Sequence, residues 1–283
     1  MKLKHWISRM LLYSILGLFA CIFLFPIWLM ISVSLKSDEF QIAKEAATPR
    51  ALLPASPSLV NYQSVLKGEG TDAPWARFFV NTCIIVVSIV GCGIFVNSLA
   101  AFALSRLRFR GRGFLVSLIV ALMIVPFEGL AVPLFLVINQ LGWFDSYQAQ
   151  IIPFIAHPFS IFLFYQFFNK LPKELDEAAR IDGASWFQIY RRIALPLSLP
   201  VIATVAILQS LEYWNSFLWP IMVTRGPEYR PLSVAMNAFF GQPPRRWGDI
   251  MAFALLTALP LLVMYLAFQR WFIRSVAQSG LKG

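Results

Sequence analysis

Residues 78–105 read FFVNTCIIVVSIVGCGIFVNSLAAFALS, with Arg77 and Arg106 at the two ends and no charged side chain between them. The run exceeds the roughly 20 apolar residues that a helix needs to cross a hydrocarbon core about 30 Å thick. The pattern recurs along the chain. Residues 10–35, 146–169 and 250–269 also lack Asp, Glu, Lys and Arg, while 114–138 and 195–223 carry one acid each, Glu128 and Glu212. These runs predict an all-α polytopic membrane protein with six transmembrane helices. Composition agrees, because 58% of the 283 residues are hydrophobic and 13% charged, against about 25% charged in soluble domains.

The charges between the runs set an orientation. Arg106, Arg108, Arg110 and Arg112 crowd the loop before the third run, the loop 139–150 has no Lys or Arg, and Lys170, Lys173, Arg180, Arg191 and Arg192 fill the next one. Basic residues concentrate in short cytoplasmic loops, so both termini, the arginine loop and the 170–200 loop are expected in the cytoplasm. The net charge of +10 is thereby assigned to topology and not to a nucleic-acid partner. Lys2, Lys4 and Arg9 precede the first run, which is far longer than the about 7–15 residues of a signal-peptide core. It reads as a retained anchor, with cleavage near Ser32-Val33-Ser34 as the alternative.

Outward from these spans the layout is a cytoplasmic tail (1–9), a first helix (10–35), an external segment (36–77), a transmembrane core (78–272) and a cytoplasmic tail (273–283). The external segment holds Pro49, Pro54, Pro57 and Pro74 and is expected to be irregular, with a short surface helix near 59–66. The core reads as one helix bundle without an internal repeat. Prolines within the spans (Pro26, Pro126, Pro133, Pro153, Pro158, Pro200, Pro220, Pro260) mark either bends or tolerated kinks. Gly91, Gly93, Asn97, Ser98 and Ala101 form a small-residue stretch suited to close helix packing. Cys21, Cys83 and Cys92 lie in apolar runs without metal-ligand spacing and are given no function.

One segment breaks the apolar pattern. After Pro172, Lys173-Glu174-Leu175-Asp176-Glu177 places acids over a helix start, where the backbone dipole favours them. The helix is expected to pass through Ala178, Ala179 and Ile181 and to stop at Gly183, which adopts a left-handed C-cap at little cost. Ser185 is expected to cap a second short helix through Trp186, Phe187, Ile189 and Tyr190, with Pro196 leading into the fifth span. The small Ala178 and Ala179 would admit a partner's groove close to the backbone, with Glu177 and Asp182 as polar flanks. An amphipathic helix resting on lipid is the alternative, disfavoured by the acidic first turn because anionic lipid attracts bases.

No glycine loop for phosphate, no Gly-Lys-Ser/Thr and no spaced His/Cys set is present, and the histidines are His5 and His157. The chain is therefore read as a non-enzyme without its own metal or cofactor. His157 is read as a packing residue ahead of a ligand.

The segment Glu177-Ala178-Ala179-Arg180-Ile181-Asp182-Gly183-Ala184-Ser185, with Ile193-Ala194-Leu195-Pro196 and Pro200, resembles the EAA loop of ABC-importer permeases. The extended form is similar to the carbohydrate-uptake branch, as are Trp214-Asn215, Phe217-Leu218-Trp219-Pro220 and the terminal Gly280-Leu281-Lys282-Gly283. The likeness to a maltose-transporter-type smaller membrane subunit covers nearly the whole chain and is weakest in 36–77. It implies the type I ABC importer fold in a bacterial inner membrane, and inward movement of a sugar, oligosaccharide or polyol-like solute. Glu177, Ala178, Ala179, Asp182, Gly183 and Ala184 would couple to an ATPase. The implied partners are a second, larger permease subunit, two ATP-binding cassette subunits that hold ATP and Mg, and an external solute-binding protein. The loop 225–249 would meet that binding protein through Asn237, Phe239, Phe240, Gly241 and Gln242, and residues 275–283 would reach the ATPase interface or fray.

Glu212, Asn215 and Ser216, at i, i+3 and i+4, are expected on one face of the fifth span, bordering either the translocation path or a polar seam with another subunit. An importer of another solute (a phosphorylated polyol or an amino acid), an ATP-independent transporter and a membrane scaffold remain the alternatives.

Overall fold

The computed structural model describes residues 2–54, 56–241 and 244–280, and side chains from Trp6 to Leu266 except those of Ile7 and Ser8. Among the described residues there is no strand. In chain order the helices are α1 (Lys2–Ser34), α2 (Glu39–Glu45), α3 (Val60–Lys67), α4 (Trp75–Arg106), α5 (Arg112–Leu122), α6 (Phe127–Gln140), α7 (Tyr147–Ile151) and α8 (Pro158–Lys170). There follow α9 (Glu174–Ile181), α10 (Trp186–Ile189), α11 (Leu195–Leu197), α12 (Leu199–Trp214), α13 (Leu218–Val223), α14 (Leu232–Ala238) and α15 (Trp247–Gly280).

Among the described residues, four stretches are long and apolar enough to cross a membrane: Arg9–Ser34, Trp75–Arg106, Tyr147–Lys170 and Trp247–Leu266. Two further spans exist only as bent pairs, α5 with α6 at 103° and Trp186–Leu197 with α12 at 74°. Six spans result when each bent pair counts once. The third run is thus not the straight helix its hydropathy predicts. Pro126 has extended backbone and precedes α6, and its ring cannot continue the ladder of α5. A π-turn, Tyr190–Ala194, leads into the fifth run just before Pro196, and the helix restarts at α12 with Pro200 in its first turn.

The described chain forms two compact units, Met1–Arg77 with Ala235–Pro260, and Phe78–Val234 with Leu261–Gly283. In the first, α1 exposes apolar side chains from Trp6 to Ile31, as a helix in lipid does. Its end is tied to the external segment: Trp28 Nε1 donates to Leu52 O at 3.0 Å and Ser32 Oγ to Ala51 O at 2.7 Å. The surface helix expected near 59–66 is α3. Asp38 Oδ1 caps α2 through Phe40 N, and Lys36 Nζ meets Glu45 Oε2 at 2.7 Å and Arg50 O at 2.9 Å. Glu39 receives Trp247 N and Gly248 N at 2.8 and 2.9 Å, placing a carboxylate on the positive end of α15.

The second unit is built on α4. Gly93 admits its neighbours closely: a Cβ there would stand 3.3 Å from both Gln209 Oε1 and Ile155 O, whereas Gly91 faces open space. Asn97, fully buried, donates to Ile155 O and accepts from His157 N, stitching α4 to the start of α8. Ser98 and Tyr190 share a hydroxyl hydrogen bond of 2.8 Å. The small-residue stretch of α4 is therefore a packing surface. Cys21 and Cys92 are exposed and Cys83 half-buried, so two of the three lie on the outer surface of their helices.

Candidate functional site

The 170–200 loop folds as two short helices at an apolar base. α9 ends in a Schellman motif: Ala184 N donates to Ala179 O at 2.9 Å, and Gly183 N to Arg180 O at 3.0 Å. Gly183 carries the left-handed backbone, φ +81°, at the position where that motif requires it. Ser185 caps α10 in a capping box with Gln188. The base is a cluster of Phe102, Phe164, Phe168, Ile189, Tyr190 and Val205, with Leu171, Ala179 and Ala184 against its edge.

The two faces of α9 have different partners. Glu174, Glu177, Ala178 and Ile181, spaced i, i+3, i+4 and i+7, are exposed, Ile181 to 87%. Asp182 and Gly183 are exposed beside them. The inner face carries Asp176 and Ala179. Of the expected coupling residues, Glu177, Ala178, Asp182 and Gly183 therefore stand on the free surface. Ala179 and Ala184 pack inward, so their small size serves the protein's own core before any partner's groove. Arg180 lies over the Trp186 ring at 5.3 Å, joining α9 to α10 across the bend.

Two features here had no sequence signal assigned to function. Ile181 is an apolar knob without cover, and Asp176 forms a buried ion pair. Arg106 Nε lies 2.9 Å from Asp176 Oδ2, with side chains 3% and 11% exposed, and Arg106 Nη2 donates to Leu171 O at 3.0 Å. Burial pushes the Asp176 carboxyl above its ordinary value, with the Arg106 charge pulling it back. One arginine of the presumed topology signal is thus structural, whereas Arg108 and Arg110 are exposed.

The expected polar face of the fifth span lies at the end of α12. The helix ends at Trp214, and Asn215 is its C-cap and donates Nδ2 to Leu211 O. Glu212 and Asn215 are both exposed there, whereas Ser216 lies beyond the helix and is half-buried. Glu212 lies 3.7 Å from His157 Nε2, and His157 Nδ1 is 3.2 Å from Ser160 Oγ. His157 thus has polar neighbours on both ring nitrogens, beyond plain packing. Ser216 lines a small cleft with Thr82, Gln150, Phe154, Tyr213 and Trp219. Its carbonyl accepts from Ser233 Oγ at 2.6 Å.

Of the expected binding-protein contacts, Asn237, Phe240 and Gly241 are exposed. Phe239 is buried, edge-on to Phe253 at 5.3 Å between ring centroids, and belongs to the core of its unit. Gln242 lies outside the described residues, as do the side chains of 275–283.

Residues 89–278 match the family described as "Binding-protein-dependent transport system inner membrane component". The chain belongs to this family. It is a permease subunit, and its membrane helices are those of an inner membrane component. Relatives along almost the full length agree. The trehalose/maltose transport system permease protein MalG of Thermococcus litoralis is 33% identical, covering 98% of each chain. The arabinooligosaccharides transport system permease protein AraQ of Bacillus subtilis is 30% identical over 98% of this chain and 97% of its own length. The sn-glycerol-3-phosphate transport system permease protein UgpE of Salmonella choleraesuis is 33% identical over 94% and 95%. A solved structure, a bacterial ABC transporter involved in the import of the acidic polysaccharide alginate, superposes with a TM-score of 0.79 at 26% identity, covering 94% of this chain and 96% of its own. The all-α, ABC importer permease fold follows from these matches, with the ATPase on a separate subunit.

Proposed function

We propose that this chain carries a sugar, oligosaccharide or polyol-like solute inward as the smaller membrane subunit of a binding-protein-dependent ABC importer. The observation that carries the reading is the exposed face of α9, Glu177, Ala178 and Ile181, held by a glycine-capped bend on an apolar base. Such a face suits docking into a soluble partner as a rigid body. ATP and Mg are held by two ATP-binding cassette subunits, a second permease subunit completes the pathway, and an external binding protein delivers the solute. Both termini and the 170–200 loop lie in the cytoplasm on this reading, which the distribution of basic residues supports. Nucleotide-driven closure of the ATPases shifts the permease between two states by making different contacts with each.

The named cargo of three relatives, arabinooligosaccharides, trehalose or maltose, and sn-glycerol 3-phosphate, supports the solute class. The last keeps a phosphorylated polyol as a second reading. In the test, the detergent-solubilised complex is isolated through this chain, reconstituted with its binding protein, and assayed for ATP hydrolysis with maltose, trehalose, arabinotriose and glycerol 3-phosphate. Stimulation by a saccharide supports the first reading and stimulation by glycerol 3-phosphate the second. A complex without an ATPase refutes both.

A further inference from the structure

Arg106 is the last residue of α4, and its guanidinium reaches two places at once. Nη2 donates to Leu171 O at the end of α8, and Nε stands in an ion pair with Asp176 Oδ2 in the first turn of α9, close enough for charge attraction but without a hydrogen bond between them. Between those two anchors lie only Pro172 and the short lead into α9, the linker about which α9 would swing relative to α8. A planar, delocalised guanidinium can hold a carbonyl with one nitrogen while another stands against a carboxylate, which an ammonium on a flexible stem does less well. The pair is buried, so the attraction is weakly screened and breaking it leaves an uncompensated charge.

We infer that Arg106 and Asp176 form the clamp through which motion of the ATPase-docking helix α9 is passed to the membrane helix α4. The inference rests on the importer reading above. With the clamp closed, a displacement of α9 must carry the cytoplasmic end of α4 with it. With the clamp open, the 171–173 linker absorbs the displacement and α4 stays. Both residues are positioning residues: Asp176 is buried, away from the exposed docking face of α9. A packed ion pair with two discrete arrangements can carry coupling between sites, and changes along such a network can shift it without contact to either ligand.

The test uses the whole complex with its binding protein and whichever of maltose, trehalose, arabinotriose and glycerol 3-phosphate stimulates the unmodified protein. Four variants are compared at equal assembled amounts: Asp176→Asn, Arg106→Gln, Arg106→Lys and the double Arg106→Gln/Asp176→Asn. The readouts are the ratio of solute-stimulated to unstimulated ATP hydrolysis, uptake in proteoliposomes, and Tm. The clamp predicts that Asp176→Asn lowers the stimulation ratio and uptake about tenfold, within the range over which coupling elements act. Arg106→Lys keeps part of the ratio, and the double variant is no worse than the single ones. A role in stability alone lowers Tm and leaves the ratio at its original value, and that result overturns the inference. Additive losses in the double variant also overturn it. If Arg106→Gln does not assemble, Asp176→Asn, which keeps shape and an acceptor oxygen, decides by itself. A failed clamp with a stimulated unmodified complex leaves the importer reading standing, whereas an unmodified complex lacking an ATPase overturns both.

Discussion

Asn61 occupies the space in which a side chain at residue 248 would stand. A Cβ built on Gly248 would lie 2.8 Å from Asn61 Cγ, and Asn61 cannot retreat because its Nδ2 donates to Ser34 O at 2.8 Å and Lys36 O at 2.7 Å. The end of α1, the external segment and the first turn of α15 meet at this point. Gly248→Ala is therefore expected to lower stability by about 1–3 kcal/mol, the usual cost of overpacking a fixed site. Thermal unfolding of the purified chain in detergent checks it, and an unchanged Tm would show that Asn61 moves freely.

The external segment should also respond to acid. Hydrogen bonds from Lys36 and then Gln41 hold the Glu45 carboxyl below its ordinary value of 4.5. A carboxyl lowered on folding contributes stability that is present above the unfolded value and lost as pH falls through the folded one. Hydrogen-exchange protection in α2 and the 49–52 turn, taken relative to the unstructured rate at each pH, should thus hold down to about the ordinary glutamate range and fall below it. In Glu45→Gln the protection should be lower at neutral pH and level across that range. A pH response of equal size in both proteins would assign the effect to another group.

How much could be read beforehand follows from where each force acts. Lipid demands that backbone polar groups be satisfied within apolar helices, so the spans, bent ones included, were legible from runs with one charge or none. The stop at Gly183 and the cap at Ser185 were legible because each depends on one residue's own backbone or side chain. The 103° turn at Pro126 was not, since proline shows where a helix breaks and packing sets the angle. Arg106 and Asp176 are brought together by tertiary packing, and no local pattern marks such a pair. Phe239 misled for a related reason: a loop aromatic is exposed or buried according to what lies beneath it, here Phe253. Of Glu212, Asn215 and Ser216, the last leaves the helix on which the spacing relied, because α12 ends at Trp214 with Asn215 as its C-cap.

Ile181 provides a direct test of the docking face. Its side chain is 87% exposed, so Ile181→Asn should leave the stability of the isolated chain within about 0.5 kcal/mol. Docking buries apolar surface, and losing most of an isoleucine's burial is worth on the order of 1–2 kcal/mol. The ATPase retained on a tagged chain should therefore fall about tenfold under dilute conditions. Unchanged retention would mean that the knob faces lipid, and vesicle binding of the free loop peptide would then be the property lost.

Gly183 separates backbone conformation from partner contact. Its φ is +81°, yet a Cβ would meet nothing within 4 Å. Gly183→Ala therefore carries only the strain of a left-handed L-residue, about 1–2 kcal/mol, and asparagine tolerates that conformation better. If the glycine serves the bend, ATPase retention should drop in Gly183→Ala and recover in Gly183→Asn. If instead a partner's surface passes close over residue 183, the larger asparagine should be the worse of the two. Parallel measurement of retention and Tm distinguishes these outcomes, because strain lowers both and a clash with the partner lowers retention alone.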